Sequence, residues 1–162
     1  MKAPGFAVWV TGPEPTRLHA IADEMARRLA ERGLTVEVLD TRTPALATLA
    51  DPAGVARLAA SLLARHGVPT VIALPATRAT RDAARDELAR MIEVDVPADV
   101  PAPGHEPPER AEVAVLLCEV AAGAARALHT LEVLRFLPAA TGGYSAEEER
   151  AVIRRLKAFG YL

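Results

Sequence analysis

The chain has 162 residues, a formal net charge of -2 and 51% hydrophobic residues, of which only a small share is aromatic. That length is one domain, and its core is built mostly of Ala, Leu and Val. The charge gives no general attraction to nucleic acid or an anionic membrane, and no apolar run approaches the roughly 20 residues that a membrane-spanning helix needs. The single cysteine, Cys118, excludes an internal disulfide and argues against a cysteine-based metal site. The first residues show no signal-peptide pattern, so the expected compartment is the cytoplasm.

Residues 6–10, FAVWV, read as a buried strand. Leu18, Ile21, Ala22, Met25 and Leu29 then recur at three- and four-residue steps as one helical stripe, which Gly33 ends. Residues 35–39 read as a second strand, followed by an irregular stretch through Pro52. A second helix carries Val55, Leu58, Ala59, Leu62 and Leu63 as its apolar stripe and closes at Gly67. Residues 69–75 form a third strand, 78–91 a third helix and 92–96 a fourth strand. The prolines of 97–110 forbid helix and central strand, so this segment is a surface loop.

Beyond that loop, 112–117 read as a fifth strand and 119–136 as a helix. This helix is apolar on more than one face (Leu131, Val133, Leu134, Phe136, Leu137), which suits deep burial or a contact with another subunit. Ser145 with Glu148 makes a capping box, and Val152, Leu156 and Phe159 supply the stripe of the last helix. The division expected is a unit over 1–137 and, over 138–162, a capped helix packed on it or on a partner. Nearly all-apolar strands alternating with helices indicate the α/β class. The expected architecture is a parallel sheet of about five strands with helices on both faces, with its ligand site beyond the carboxyl ends of the strands. That places the candidate site at 11–17, 40–43 and 75–82.

The loop after the first strand stands where a phosphate loop would. Such a loop, G-x-x-x-x-G-K-[ST], needs glycines so that backbone N–H groups converge on phosphates, a lysine for the outer phosphates and a hydroxyl for magnesium. Gly12 keeps the first position, but Arg17 stands at the second glycine, Leu18 at the lysine and His19 at the hydroxyl. Pro13 and Pro15 have no N–H to offer. The only lysines are Lys2 and Lys157, neither near this loop. Two readings stay open: a tight turn into a helix, or a weak residual anion site at a helix N-terminus with Thr16 as cap and Arg17 beside it.

In order along the chain, GFAVWVTG, ERGLTVEVLD, LLARHGVPTVIALPATRATRD, IEVDV, HEPPERAEVAV and the terminal GYL resemble segments of the adenylyl-sulfate kinases. The resemblance runs from Gly5 to about Val115. It implies a P-loop-kinase-like fold and an ancestral site for ATP, magnesium and adenylyl sulfate. The departures bear on activity. Where the family has Asp-Gly-Asp after the second strand, this chain has Asp40 at the first carboxylate and Arg42 at the second. The family's Asn and Gly-Phe-Ser elements have no counterpart in TPALATLADPAG. Its Ser-Pro-Tyr-Arg-x-x-Arg-Asp region survives as Arg78, Arg81 and Asp82, with Thr77 in place of the tyrosine, and its long basic lid is replaced by PADVPAPG.

The expectation is a catalytically inactive adenylyl-sulfate kinase-like protein, sensing a nucleotide or sulfated nucleotide or scaffolding an enzyme of sulfur metabolism. The alternatives are an active phosphotransferase with a rebuilt ATP–magnesium site, and a ligand-free structural domain. No residue is assigned to catalysis and none to a metal; the four histidines lack metal-ligand spacing. The candidate residual anion- or nucleotide-binding residues are Gly12, Thr16, Arg17, Asp40, Arg42, Arg78 and Arg81. Asp40 reads either as a surviving metal ligand or as the hydrogen-bond acceptor of the next turn. Arg78 and Arg81 read either as anion ligands or as a solvated first helical turn. The partners expected are a sulfated nucleotide, or a protein (including a second copy) bound through 119–137.

Overall fold

The computed structural model describes residues 4–115, 119–138 and 145–162. Cys118, the end of the fifth strand and the GGY before the last helix lie outside them. Five strands form one sheet: β1 (Ala7–Thr11), β2 (Glu37–Asp40), β3 (Thr70–Ala73), β4 (Met91–Asp95) and β5 (Val113–Ala114). Their order is β2-β3-β1-β4-β5 and every pairing is parallel. The chain leaves the central β1 towards β2 and β3 on one side, then towards β4 and β5 on the other. Connections therefore part at the carboxyl end of β1, where sheets of this kind hold ligands.

Helices cover both faces. Val8 and Val10 of β1 point into one core with Leu18, Ile21, Met25 and Leu29 of α1 (Pro15–Glu31), and with Ala124, Leu128 and Leu131 of the helix Val120–Val133. Ala7 and Trp9 alternate to the other face, as strand geometry requires. There they pack with Leu46 of α2 (Pro44–Ala47), Ala53, Ala56 and Ala60 of α3 (Pro52–Arg65), and Ala84 of α4 (Arg78–Glu87). Trp9 is fully buried, and its indole N–H donates to the Leu74 carbonyl at 3.1 Å.

Several local expectations change. Thr16 does not cap α1. Pro15 takes the first helical position, where its missing N–H costs nothing, so the N-cap falls on Glu14 and lacks a side-chain bond. The irregular stretch after β2 contains α2, which starts on Pro44 in the same way. The helix expected over 78–91 stops at Glu87, because Leu88 becomes extended and turns its side chain into the core.

The apolar face of α3 is the larger correction. The stripe read as core, Val55, Leu58 and Leu62, is exposed, and the small residues Ala53, Ala56 and Ala60 with Ser61 meet the sheet instead. Small side chains let this helix sit close, so burial follows fit and not residue hydrophobicity alone.

The helix Val120–Val133, α5, is buried within the chain along Ala124, Ala127, Leu128 and Leu131, and Leu134 and Phe136 pack on the same core. Its apolar character is used inside the chain, as the burial reading expects. The last helix, α6 (Ala146–Ala158), carries the reciprocal Ser145–Glu148 capping box. It packs on α5 and buries Val152 and Leu156. No helix among the described residues is long and apolar enough to cross a membrane.

Candidate functional site at the carboxyl ends of the strands

β1 ends on the buried Thr11, and the chain turns sharply at Gly12. A Cβ at Gly12 would lie 2.4 Å from the Val96 carbonyl oxygen, so the glycine is required by close approach to the chain just after β4. Val96 N–H donates to the Thr11 carbonyl at 2.8 Å, fastening the same contact. At the helix start, the N–H groups of Arg17 and Leu18 both donate to the Glu14 carbonyl, at 3.1 and 3.2 Å. Two donors that a phosphate cradle would aim outward are thus turned into the helix, and Pro13 and Pro15 have none.

The proline-rich segment after β4 crosses in front of these strand ends and is pinned there by three of the sequence-derived candidates. Arg17 donates to the Pro97 carbonyl at 2.9 Å. Arg78 donates its backbone N–H to the Glu106 carboxylate at 2.6 Å, and its guanidinium pairs with Glu109. Arg81 donates to the Glu106 carbonyl at 2.6 Å, while Glu106 N–H donates to the Ala76 carbonyl at 3.1 Å.

Arg81 is fully buried, unlike the solvated first-turn residue expected as one of its two readings. It donates to the Ala76 carbonyl at 2.5 Å and to Glu93 at 3.2 Å, and reaches the Thr11 hydroxyl at 3.4 Å. Glu93 also accepts from Arg85 at 2.9 Å, and Arg85 in turn binds Glu112 at 2.7 Å. The Tyr161 hydroxyl donates to Glu112 at 2.5 Å, tying the chain end to this network. Burial and that bond push the Tyr161 hydroxyl up to about 12. The signal for this network was present in β4: a glutamate inside an apolar strand demands a buried cation.

Asp40 and Arg42 form a second group at the end of β2. Arg42 donates its backbone N–H to Asp40 at 2.7 Å, and its guanidinium bridges Asp40 at 2.5 Å and Asp23 at 2.7 Å. Burial opposes ionisation of Asp40, but these bonds win and hold its carboxyl below the usual range. Asp40 therefore has the arrangement of the turn acceptor. His19 meets Thr41 at 2.8 Å beside it. Gly12 lies in the turn after β1, and Thr16 in the first turn of α1.

A cleft of about 290 Å³ opens beside the β1 turn, lined by Pro13, Asp95, Pro97, His105 and Pro107 among others. Burial raises the Asp95 carboxyl above its ordinary value, partly offset by Arg155 and Arg81. Burial lowers the His105 ring, and its Nδ1 lies 3.3 Å from the Thr11 hydroxyl. Neither Asp95 nor His105 was a sequence candidate, because one read as a strand residue and the other as loop. Among the described residues no three His, Cys, Asp or Glu side chains converge as a metal set.

No family model matches the chain. The Pyrococcus abyssi protein named "Probable adenylyl-sulfate kinase" is 34% identical to it over 104 residues. In sequence the chain is similar to this probable adenylyl-sulfate kinase. The match covers 57% of this chain and 59% of the Pyrococcus abyssi protein, so the chain spans about three fifths of the curated relative. The adenylyl-sulfate kinase of Mycobacterium tuberculosis, solved with AMPPNP and adenylyl sulfate, shares the fold at a TM-score of 0.68 and 19% identity. That alignment covers 80% of this chain and 99% of the other. The hexameric adenylyl-sulfate kinase of Thiobacillus denitrificans aligns over 99% of this chain and 30% of its own, with a TM-score of 0.57 and 22% identity. At these identities the structures establish the adenylyl-sulfate kinase fold and leave the chemistry to the residues.

Proposed function

We propose that this chain is a catalytically inactive relative of adenylyl-sulfate kinases that serves as a binding or scaffolding module in sulfur metabolism. One observation carries the reading: Arg17, Arg78 and Arg81 are spent on the segment 97–109, directly in front of the β1 turn. A triphosphate needs converging N–H donors, an amine and a magnesium ligand, and Gly12–His19 offers a proline-interrupted turn instead. Losing one preorganised donor costs on the order of 3 kcal/mol of transition-state stabilisation, so losing several removes useful turnover. A site rebuilt around arginine for ATP and magnesium would regain charge but not the missing N–H groups.

A sensing role is favoured by one surface feature. Arg78 and Glu109 are both well exposed, with 45% and 69% of their side chains accessible. Such a pair contributes little, and the sulfate or phosphate of a sulfated nucleotide competes with Glu109 for the guanidinium. Calorimetry with ATP–magnesium, adenylyl sulfate and its 3′-phosphorylated product tests the proposal. Heat with a sulfated nucleotide alone identifies a sensor, and silence with all three identifies a scaffold. Saturable binding of ATP–magnesium would overturn the proposal.

A further inference from the structure

A cleft of about 410 Å³ lies between β5, α5 and α6, at the edge of the sheet and apart from the turn after β1. That is within the usual range of small-molecule sites, roughly 300–1,000 Å³. Its walls are Val113 and Ala114 of β5 and Ala151, Val152 and Phe159 along the α6 side. Ala151 and Ala158 stand seven residues apart, two turns of helix, so both fall on one side of α6 and neither fills the space beside β5.

Three guanidiniums border this apolar space. Arg155 donates through Nε to the Ala111 carbonyl at 2.7 Å and lies 5.6 Å from the centre of the Phe159 ring. This fixes its head at the cleft with further donors to spare. Arg126 is anchored on the Ala114 carbonyl at 3.3 Å and on Glu119 at 2.8 Å. Arg154 is exposed and makes no ion pair among the described residues. It also belongs to a basic row on α6, Arg150, Arg154 and Lys157, at steps of four and three residues. The one acid in the lining, Glu112, is fully buried and already answered by Arg85 at 2.7 Å and Tyr161 at 2.5 Å. The cleft is therefore apolar in its walls and positive at its rim.

We propose that this cleft binds a small organic anion with an apolar body, an aryl or acyl sulfate, sulfonate or carboxylate. Its charged group meets Arg154 and Arg155, and its body lies against Val113, Val152 and Phe159. An inorganic anion would leave the apolar walls in water, and a neutral apolar molecule would strip water from the guanidiniums without replacing it. An added peptide strand is disfavoured, because the Ala111 and Ala114 carbonyls on this edge are already occupied by Arg155 and Arg126. An anionic membrane is disfavoured too: the walls are concave, and Glu147, Glu148 and Glu149 open the same helix. The site shares no residue with Gly12–His19, so it stands or falls independently of nucleotide binding at the strand ends.

Titration with the aryl sulfonate 1-anilinonaphthalene-8-sulfonate, followed by fluorescence and by ¹H–¹⁵N correlation spectra, tests this. One molecule per folded chain should bind with a dissociation constant below about 100 µM. The amides of 111–114 and 151–159 should shift, and those of 12–19 and 55–62 should not. The neutral analogue N-phenyl-1-naphthylamine should bind more than about 10-fold more weakly, and Arg154→Glu should weaken the sulfonate by a similar factor. Ala151→Phe should abolish binding by filling the cleft; if it does not fold by circular dichroism, Arg154→Glu decides alone. Shifts confined to other residues, equal binding of the neutral analogue, or unchanged affinity in Arg154→Glu would overturn the proposal. So would full displacement of the sulfonate by equimolar capped Glu-Glu-Phe-Glu-Glu, which would make the cleft a peptide surface.

Discussion

Arg81 separates a structural account of the strand-end cluster from a ligand account. In Arg81→Ala, Glu93 loses the 3.2 Å partner but keeps Arg85 at 2.9 Å, and the Ala76 and Glu106 carbonyls lose their guanidinium donors. Breaking a buried ion pair typically costs about 3–5 kcal/mol, and the surviving Arg85 contact argues for the lower part of that range, about 3 kcal/mol. For a domain of this size, each kcal/mol lowers the melting temperature by about 2–4 °C, so the expected fall is about 10 °C. Arg81→Lys should fall in between, because an ammonium keeps the charge without the fork that reaches two carbonyls at once. Urea and thermal unfolding followed by circular dichroism measure both. A loss below about 1 kcal/mol for Arg81→Ala, the range of ordinary surface changes, would refute the reasoning and leave the guanidinium available to a ligand.

Two further outcomes follow from the same site. Gly12→Ala should destabilise by about 1–3 kcal/mol in urea unfolding without any ligand, since its Cβ meets the backbone oxygen of Val96 at 2.4 Å; an unchanged midpoint would remove the packing role. Asp95 has a carboxyl raised by burial, so its ionised form is disfavoured in the fold; the penalty is present above the folded value and vanishes as pH falls through it. Asp95→Asn should therefore raise the melting temperature near pH 7, with a gain that shrinks towards about pH 4; a loss at pH 7 would contradict the burial argument.

How far the sequence carried depended on which residues competed for the same role. The apolar run of β1 and the single stripe of α1 had one solution each, and both appear in the fold. In α3 the large and the small apolar residues lie on different faces. Periodicity finds both but cannot say which fits against a sheet, and the alanine face does. The proline-rich loop after β4 was legible as a loop, but its position in front of β1 was not. That position depends on Arg17, Arg78 and Arg81, residues far away in sequence. Arg78 and Arg81 in the first turn of a helix gave a hint, since they run against the helix dipole unless carboxylates answer them. Glu93, Glu106 and Glu109 supply those carboxylate and carbonyl partners.

The central claim is that the turn after β1 does not seat a triphosphate for transfer. The direct measurement is ADP release by the purified chain with ATP, magnesium and adenylyl sulfate together, against the same mixture without adenylyl sulfate. The account predicts identical background rates in the two; ADP formation that requires adenylyl sulfate and rises in proportion to protein concentration would contradict it.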